Sequence, residues 1–132
     1  MNEFDIIAAY FAPLTNETGA HGLMDDVAEI NVPPGQSLIV TTDTLVEGVH
    51  FFSDDPLETV GRKLVRVNVS DIFAKGGAPK WASLALTWPT SRNRSEIQAF
   101  ANGLGKDLAA FGISLVGGDT TSTPGPLTLS LT

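Results

Sequence analysis

Apolar and polar positions along the chain predict its elements in order. In "EFDIIAAYF", Phe4, Ile7, Ala8 and Phe11 recur at helical spacing and predict a first helix. "TNETGAHGLMDD" lacks any period and reads as a loop, "VAEINV" as a short strand and "PPGQ" as a turn. "LIVTTDTLVEGVHFF", residues 38–52, begins as an apolar strand, breaks into Thr41, Thr42, Asp43 and Thr44, and then resumes. A strand can carry such residues on a wet face or hold them convergently as ligands, and the pattern leaves both open.

Residues 56–75 start with Pro56, carry Glu58 in the first turn and end with Lys75 before Gly76 and Gly77. Their valines favour strand, but Leu57, Val60, Leu64 and Val67 keep a helical face, so the spacing predicts a helix. "WASLALTW" follows as a strand. "SEIQAFANGLGKDLAAFG" predicts a helix capped by Ser95, with Ile97, Phe100, Ala101, Leu104, Leu108 and Phe111 on one stripe and Gly112 ending it. "ISLVGGDTT" reads as a strand running into a glycine-rich turn, and "PLTLSLT" as a last strand. The order predicts an α+β fold with α/β-type layering: a mixed β-sheet with helices on one face. A β pattern that stops at Thr132 without a turn or cap suggests a fragment of a longer protein.

Composition narrows the function. The 132 residues fit one domain, which can bury roughly two thirds of its unfolded surface. There is no cysteine, which excludes disulfides and thiolate chemistry. Glu3 and Asp5 stand where a signal peptide would be basic, and no apolar run approaches the roughly 20 residues of a membrane helix. A soluble, cytoplasmic protein with no membrane partner is the expectation. The net charge of −7 disfavours nucleic acid, which needs a basic surface.

The usual phosphate loop, dinucleotide fingerprint, serine elbow and zinc set are absent, which leaves oxygen chemistry. Asp25, Asp26, Asp43, Asp71 and Asp119 sit at or near the ends of elements, and each has a plain alternative. Asp25 and Asp26 could mark a solvated turn, Asp43 a wet sheet face, Asp71 an i+4 pair with Lys75, and Asp119 a turn after two glycines. Together they suit Mg²⁺, which takes carboxylates, phosphate oxygens and water. The amides of "VGGDTT" could line an anion nest.

"GLMDDVAEI", "TTDTLVEGVHF", "VNVSDIFAKGGAPKW" and "GGDTT" occur in an order and spacing that resemble the thiamine-monophosphate kinase family. The resemblance covers nearly the whole chain and matches that family's N-terminal, nucleotide-binding half. One difference is Met24, where the family has glycine. The resemblance implies a single ATP- and Mg²⁺-binding domain over residues 1–132, without the C-terminal domain. It also implies a homodimer whose strands pair into a β-barrel.

By position, Asp26, Thr41, Thr42, Asp43, Asp71 and Asp119 would be metal ligands, Gly118 and Asp119 the ATP contact, and His50 a contact to thiamine monophosphate. His50 between Val49 and Phe51 could instead be a packed core histidine, and Asn68 and Ser70 could support Asp71. The implied reaction is in-line transfer from ATP to thiamine monophosphate, giving thiamine diphosphate, with no catalytic base. The fragment alone is expected to be inactive. The alternatives are another superfamily member (aminoimidazole ribonucleotide synthetase, selenophosphate synthetase or hydrogenase-maturation type) and a non-catalytic dimerisation module.

Overall fold

The computed structural model describes residues 2–15, 18–23 and 27–132. Asp25, Asp26 and Met24 lie outside the described residues. The elements are α1 (Glu3–Ile6), β1 (Asp43–Val46), α2 (Leu57–Ala74), β2 (Trp81–Pro89), α3 (Arg94–Ala110), β3 (Ser114–Thr123) and β4 (Thr128–Leu131). The strands form one mixed sheet in the order β1-β4-β2-β3. β4 runs antiparallel to both β1 and β2, and β2 runs parallel to β3 with α3 as the crossover. The α+β class and the mixed sheet are as expected.

The sheet's period of two sets where the core lies. Leu45 of β1, Leu84, Leu86 and Trp88 of β2, and Leu129 and Leu131 of β4 are buried on one face. α2 and α3 cover that face with Leu64, Val65, Phe100, Leu104 and Leu108. The two helices approach closely because both carry glycine at the contact. A Cβ on Gly103 would stand 1.9 Å from the Glu58 carbonyl oxygen, and one on Gly61 would stand 2.5 Å from that of Phe100.

Several expectations are corrected. The first helix is α-helical only to Ile6, widens to π geometry over Ile7–Phe11 and tightens to a 3-10 turn at Ala12–Leu14. The widening rotates the inner face, so Tyr10 and Phe11 are buried while Phe4 and Ala8 stay exposed. The region read as a loop contains a 3-10 helix, Thr18–Leu23. "VAEINV" is not a strand: Glu29 bonds back to Gly19, but no ladder forms beside it. β1 is shorter than expected because its partner β4 offers only four rungs, from Asp43↔Leu131 to Val46↔Thr128. Leu38, Ile39 and Val40 lie outside the ladder and are exposed. The cap of α3 is Asn93, not Ser95. The Asn93 side chain accepts from the Glu96 backbone while the Glu96 side chain accepts from the Asn93 backbone, a closed capping box.

Candidate metal and phosphate site

The polar break in the apolar strand becomes the start of β1. Asp43 opens the strand and is partly buried, and Asp71 comes to it from the last turns of α2. The Asp43 carboxyl is raised above its ordinary value of 3.8, first by burial, then by the charge of Asp71 and a hydrogen bond to it; His50 pulls the other way. Two carboxylates that crowd each other in this way are a cost to the fold that a cation between them would remove. Their oxygens are hard donors of the kind Mg²⁺ takes, so the pair fits the expected metal. Asp71 is not paired with Lys75 among the described residues.

Asp43 and Asp71 line a groove of about 710 Å³, together with Arg62, Lys63, Arg66 and Ser70. Asn68 does not line it. It turns inward, donating to the Leu64 carbonyl at 2.9 Å, and its Oδ1 has no partner. Thr42 Oγ1 lies 2.8 Å from Thr132 Oγ1, and Thr41 faces a second cavity of about 470 Å³, between the 30–41 segment and the end of the sheet.

His50 is exposed and so is not a core histidine. It sits in a tight loop after β1 in which Gly48 takes φ 84° and Glu47 bridges to Phe51. The Val46 amide donates to His50 Nδ1 at 2.9 Å. In the neutral ring this leaves the proton on Nε2, free to donate outward. Lys63 Nζ donates to the His50 carbonyl at 2.5 Å, tying the loop to α2. Arg92 braces it from the other side. It donates to Glu47 at 2.6 Å, to the Ser53 carbonyl at 2.9 Å and to Glu96 of the capping box at 2.7 Å. Sequence reading missed Arg92; an arginine one residue before a helix cap was its only signal.

Gly118 and Asp119 lie on β3, at the other edge of the sheet. The register runs Asp43, Leu131, Leu84, Gly118 along one row and Thr44, Ser130, Ala85, Asp119 along the next. Three strand spacings separate the edges, about 14 Å along the sheet. The structure therefore brings Asp43 and Asp71 together and holds Asp119 apart. Among the described residues, no group of three or more such side chains is poised for one ion. Gly118 takes φ 154°, and a Cβ there would stand 1.8 Å from the Leu84 carbonyl oxygen, so only glycine permits this approach. The glycine-rich turn expected here is not a turn: β3 runs through Gly117, Gly118 and Asp119 to Thr123, and the register slips between Ala82 and Ser83, a bulge just before Gly118.

Comparison with known proteins gives this geometry its context. The chain is 45% identical over 131 residues to the thiamine-monophosphate kinase of Caulobacter vibrioides, covering 98% of this chain and 37% of that protein. It is 39% identical to the thiamine-monophosphate kinase of Haemophilus influenzae, covering 100% of this chain and 40% of that one. The chain thus spans about two fifths of the length of these relatives. Among solved structures, thiamine monophosphate kinase from Aquifex aeolicus superposes with a TM-score of 0.67 at 37% identity, over 69% of this chain and 31% of that one. The hydrogenase maturation protein HypE in complex with ATP gives a TM-score of 0.80 over 97% of this chain and 38% of that one, at 20% identity, which shows the shared fold alone. The family described as AIR synthase related protein, N-terminal domain, matches residues 24–132, and the chain belongs to that family.

Proposed function

We propose that this chain is the Mg²⁺- and ATP-binding domain of a kinase that phosphorylates thiamine monophosphate to thiamine diphosphate. The carrying observation is the Asp43–Asp71 pair at the wall of an open groove, where burial first and then the neighbouring Asp71 raise the Asp43 carboxyl. The relatives named thiamine-monophosphate kinase, and a structure of AaThiL complexed with AMPPCP and TMP at 37% identity, support this choice of reaction. Asp26 would complete the metal set, with Thr41 and Thr42 beside Asp43. Gly118 and Asp119 would meet the nucleotide phosphates from β3, and His50 would donate to the acceptor through Nε2.

Mg²⁺ bound by these carboxylates would neutralise charge on the transferred phosphoryl group. An oxygen of the acceptor phosphate attacks the γ-phosphorus in line, that new P–O bond forms, the bond to the bridging oxygen breaks and ADP leaves. The attacking oxygen is already anionic, so no base is needed. Transfer is direct, with no phosphorylated protein intermediate.

The relatives are longer, so residues 1–132 supply part of such a site and turn over little or nothing alone. The protein is read as cytoplasmic; among the described residues no helix is long and apolar enough to cross a membrane. A second copy would cover the exposed Val27, Ile30, Val32, Leu38 and Val40, closing the open sheet into the barrel of a homodimer. A chimera in which these residues replace the matching part of the Caulobacter vibrioides relative tests the proposal. It should form thiamine diphosphate from thiamine monophosphate and Mg·ATP, and Asp43→Asn should abolish this. A folded chimera that binds Mg·ATP but uses only a different acceptor would overturn the substrate. Equal activity with and without Asp43 would overturn the site and favour a pure dimerisation module.

A further inference from the structure

Positive charge is gathered on one face of α2. Arg62, Lys63 and Arg66 are three of the chain's eight Lys and Arg residues, and all three line the groove that holds Asp43 and Asp71. At 1.5 Å per residue, Arg66 stands about 7.5 Å and Arg62 about 13.5 Å along the helix from Asp71. Two arginines four residues apart repel each other unless something opposes them.

Asp107 of α3 does so from within the fold, where it is only 3% exposed. Arg62 Nε donates to its Oδ1 at 3.3 Å; Arg66 donates from Nε to Oδ2 at 2.7 Å and from Nη2 to Oδ1 at 3.5 Å. One carboxylate thus fixes two guanidiniums whose side chains remain 42% and 56% exposed. Lys63 spends one N–H on the His50 carbonyl and keeps two. Asp107 balances one of the three cations from behind, and Asp43 and Asp71 line the same groove, so positive charge is concentrated at the Arg62–Arg66 part of the wall and negative charge at the Asp43–Asp71 part. A clamp between α2 and α3 would need only one arginine.

We infer that Arg62, Lys63 and Arg66 form a seat for the phosphate of a phosphate monoester, beside the cation site, with Asp107 as their positioning residue. This rests on the phosphotransfer reading and says where the acceptor sits. Guanidinium forks match phosphate oxygens in pairs, and a lysine adds a point charge. The seat belongs to the acceptor because of where it lies. Lys63 ties it to the His50 loop at the β1 edge, while Gly118 and Asp119, expected to meet the nucleotide, lie within β3 at the far edge.

The test titrates the 132-residue chain with inorganic phosphate, without divalent cation, following arginine Nε–H and backbone amide resonances. The Arg62 and Arg66 Nε–H signals should shift. Arg62→Gln and Lys63→Gln should each weaken phosphate binding roughly tenfold, while leaving Mg·AMPPCP affinity within about twofold. Lys63→Gln leaves both ion pairs to Asp107 intact, so a lost fold cannot mimic the result. Asp107→Asn should also weaken phosphate binding although it adds net positive charge; a gain would refute positioning. Unchanged phosphate affinity in Arg62→Gln and Lys63→Gln would overturn the seat, even if the kinase reading stands. A parallel loss of Mg·AMPPCP binding would overturn its assignment to the acceptor. Phosphate bound at the seat, with no Mg²⁺-dependent nucleotide binding anywhere, would instead sink the kinase reading and leave the seat.

Discussion

Asp43 gives the sharpest test of chemistry at the scale of one residue. Its carboxyl is raised by burial and by Asp71, so the folded state holds a proton that the unfolded chain would release. From the ordinary value of 3.8 up to the folded value, stability of the metal-free protein therefore falls as pH rises, and above that window the repulsion is fully present. Asp43→Asn should raise the melting temperature of the metal-free chain at pH 7 and erase any further rise on adding Mg²⁺. A lower melting temperature would show that Asp43 serves the fold. The sequence showed where oxygen ligands could gather only through the aspartate motifs taken together, since the polar break around Asp43 by itself also fits a wet strand face. It could not show that Asp119 falls on the adjacent row, three strands away, since strand order depends on long-range pairing.

Elements are held to one another by contacts that a single substitution can break. Gly103→Ala would drive a methyl into the Glu58 carbonyl and push α2 from α3; the expected loss is about 2–3 kcal/mol in denaturant unfolding. Arg92→Gln would release Glu47, the Ser53 carbonyl and one arm of the capping box together. The expected cost is about 2 kcal/mol, with faster amide exchange over residues 47–53. Unchanged exchange there would mean the loop is held without it. Helices α2 and α3 were legible from apolar period, Pro56, and the paired glycines after Lys75. The Asn93 cap was not, because Ser95 has equal capping chemistry and only the backbone geometry decides between them.

At the scale of the molecule, the unsatisfied part is the 27–42 segment. Val27, Ile30, Val32, Leu38, Ile39 and Val40 have strand-like composition but no ladder partner among the described residues. The strand expected over "VAEINV" and the strand start expected at Leu38 are not strands here, because β propensity is a local preference and a strand exists only when another segment pairs with it. If a second copy supplies that pairing, light scattering should report a dimer, and Leu38→Lys with Val40→Lys should shift it to monomer. A wild-type chain that stays monomeric at high concentration would remove the barrel from the picture.

The most direct measurement for the carboxylate pair is calorimetric binding of Mg·AMPPCP to the wild-type chain and to Asp71→Asn, each at matched fraction folded. Asp71 is exposed near the end of α2, so its loss should leave the fold intact. Mg²⁺-dependent binding by the wild type that falls at least roughly tenfold in Asp71→Asn is the predicted result. Equal binding by both proteins, or binding that does not need the metal, would contradict it.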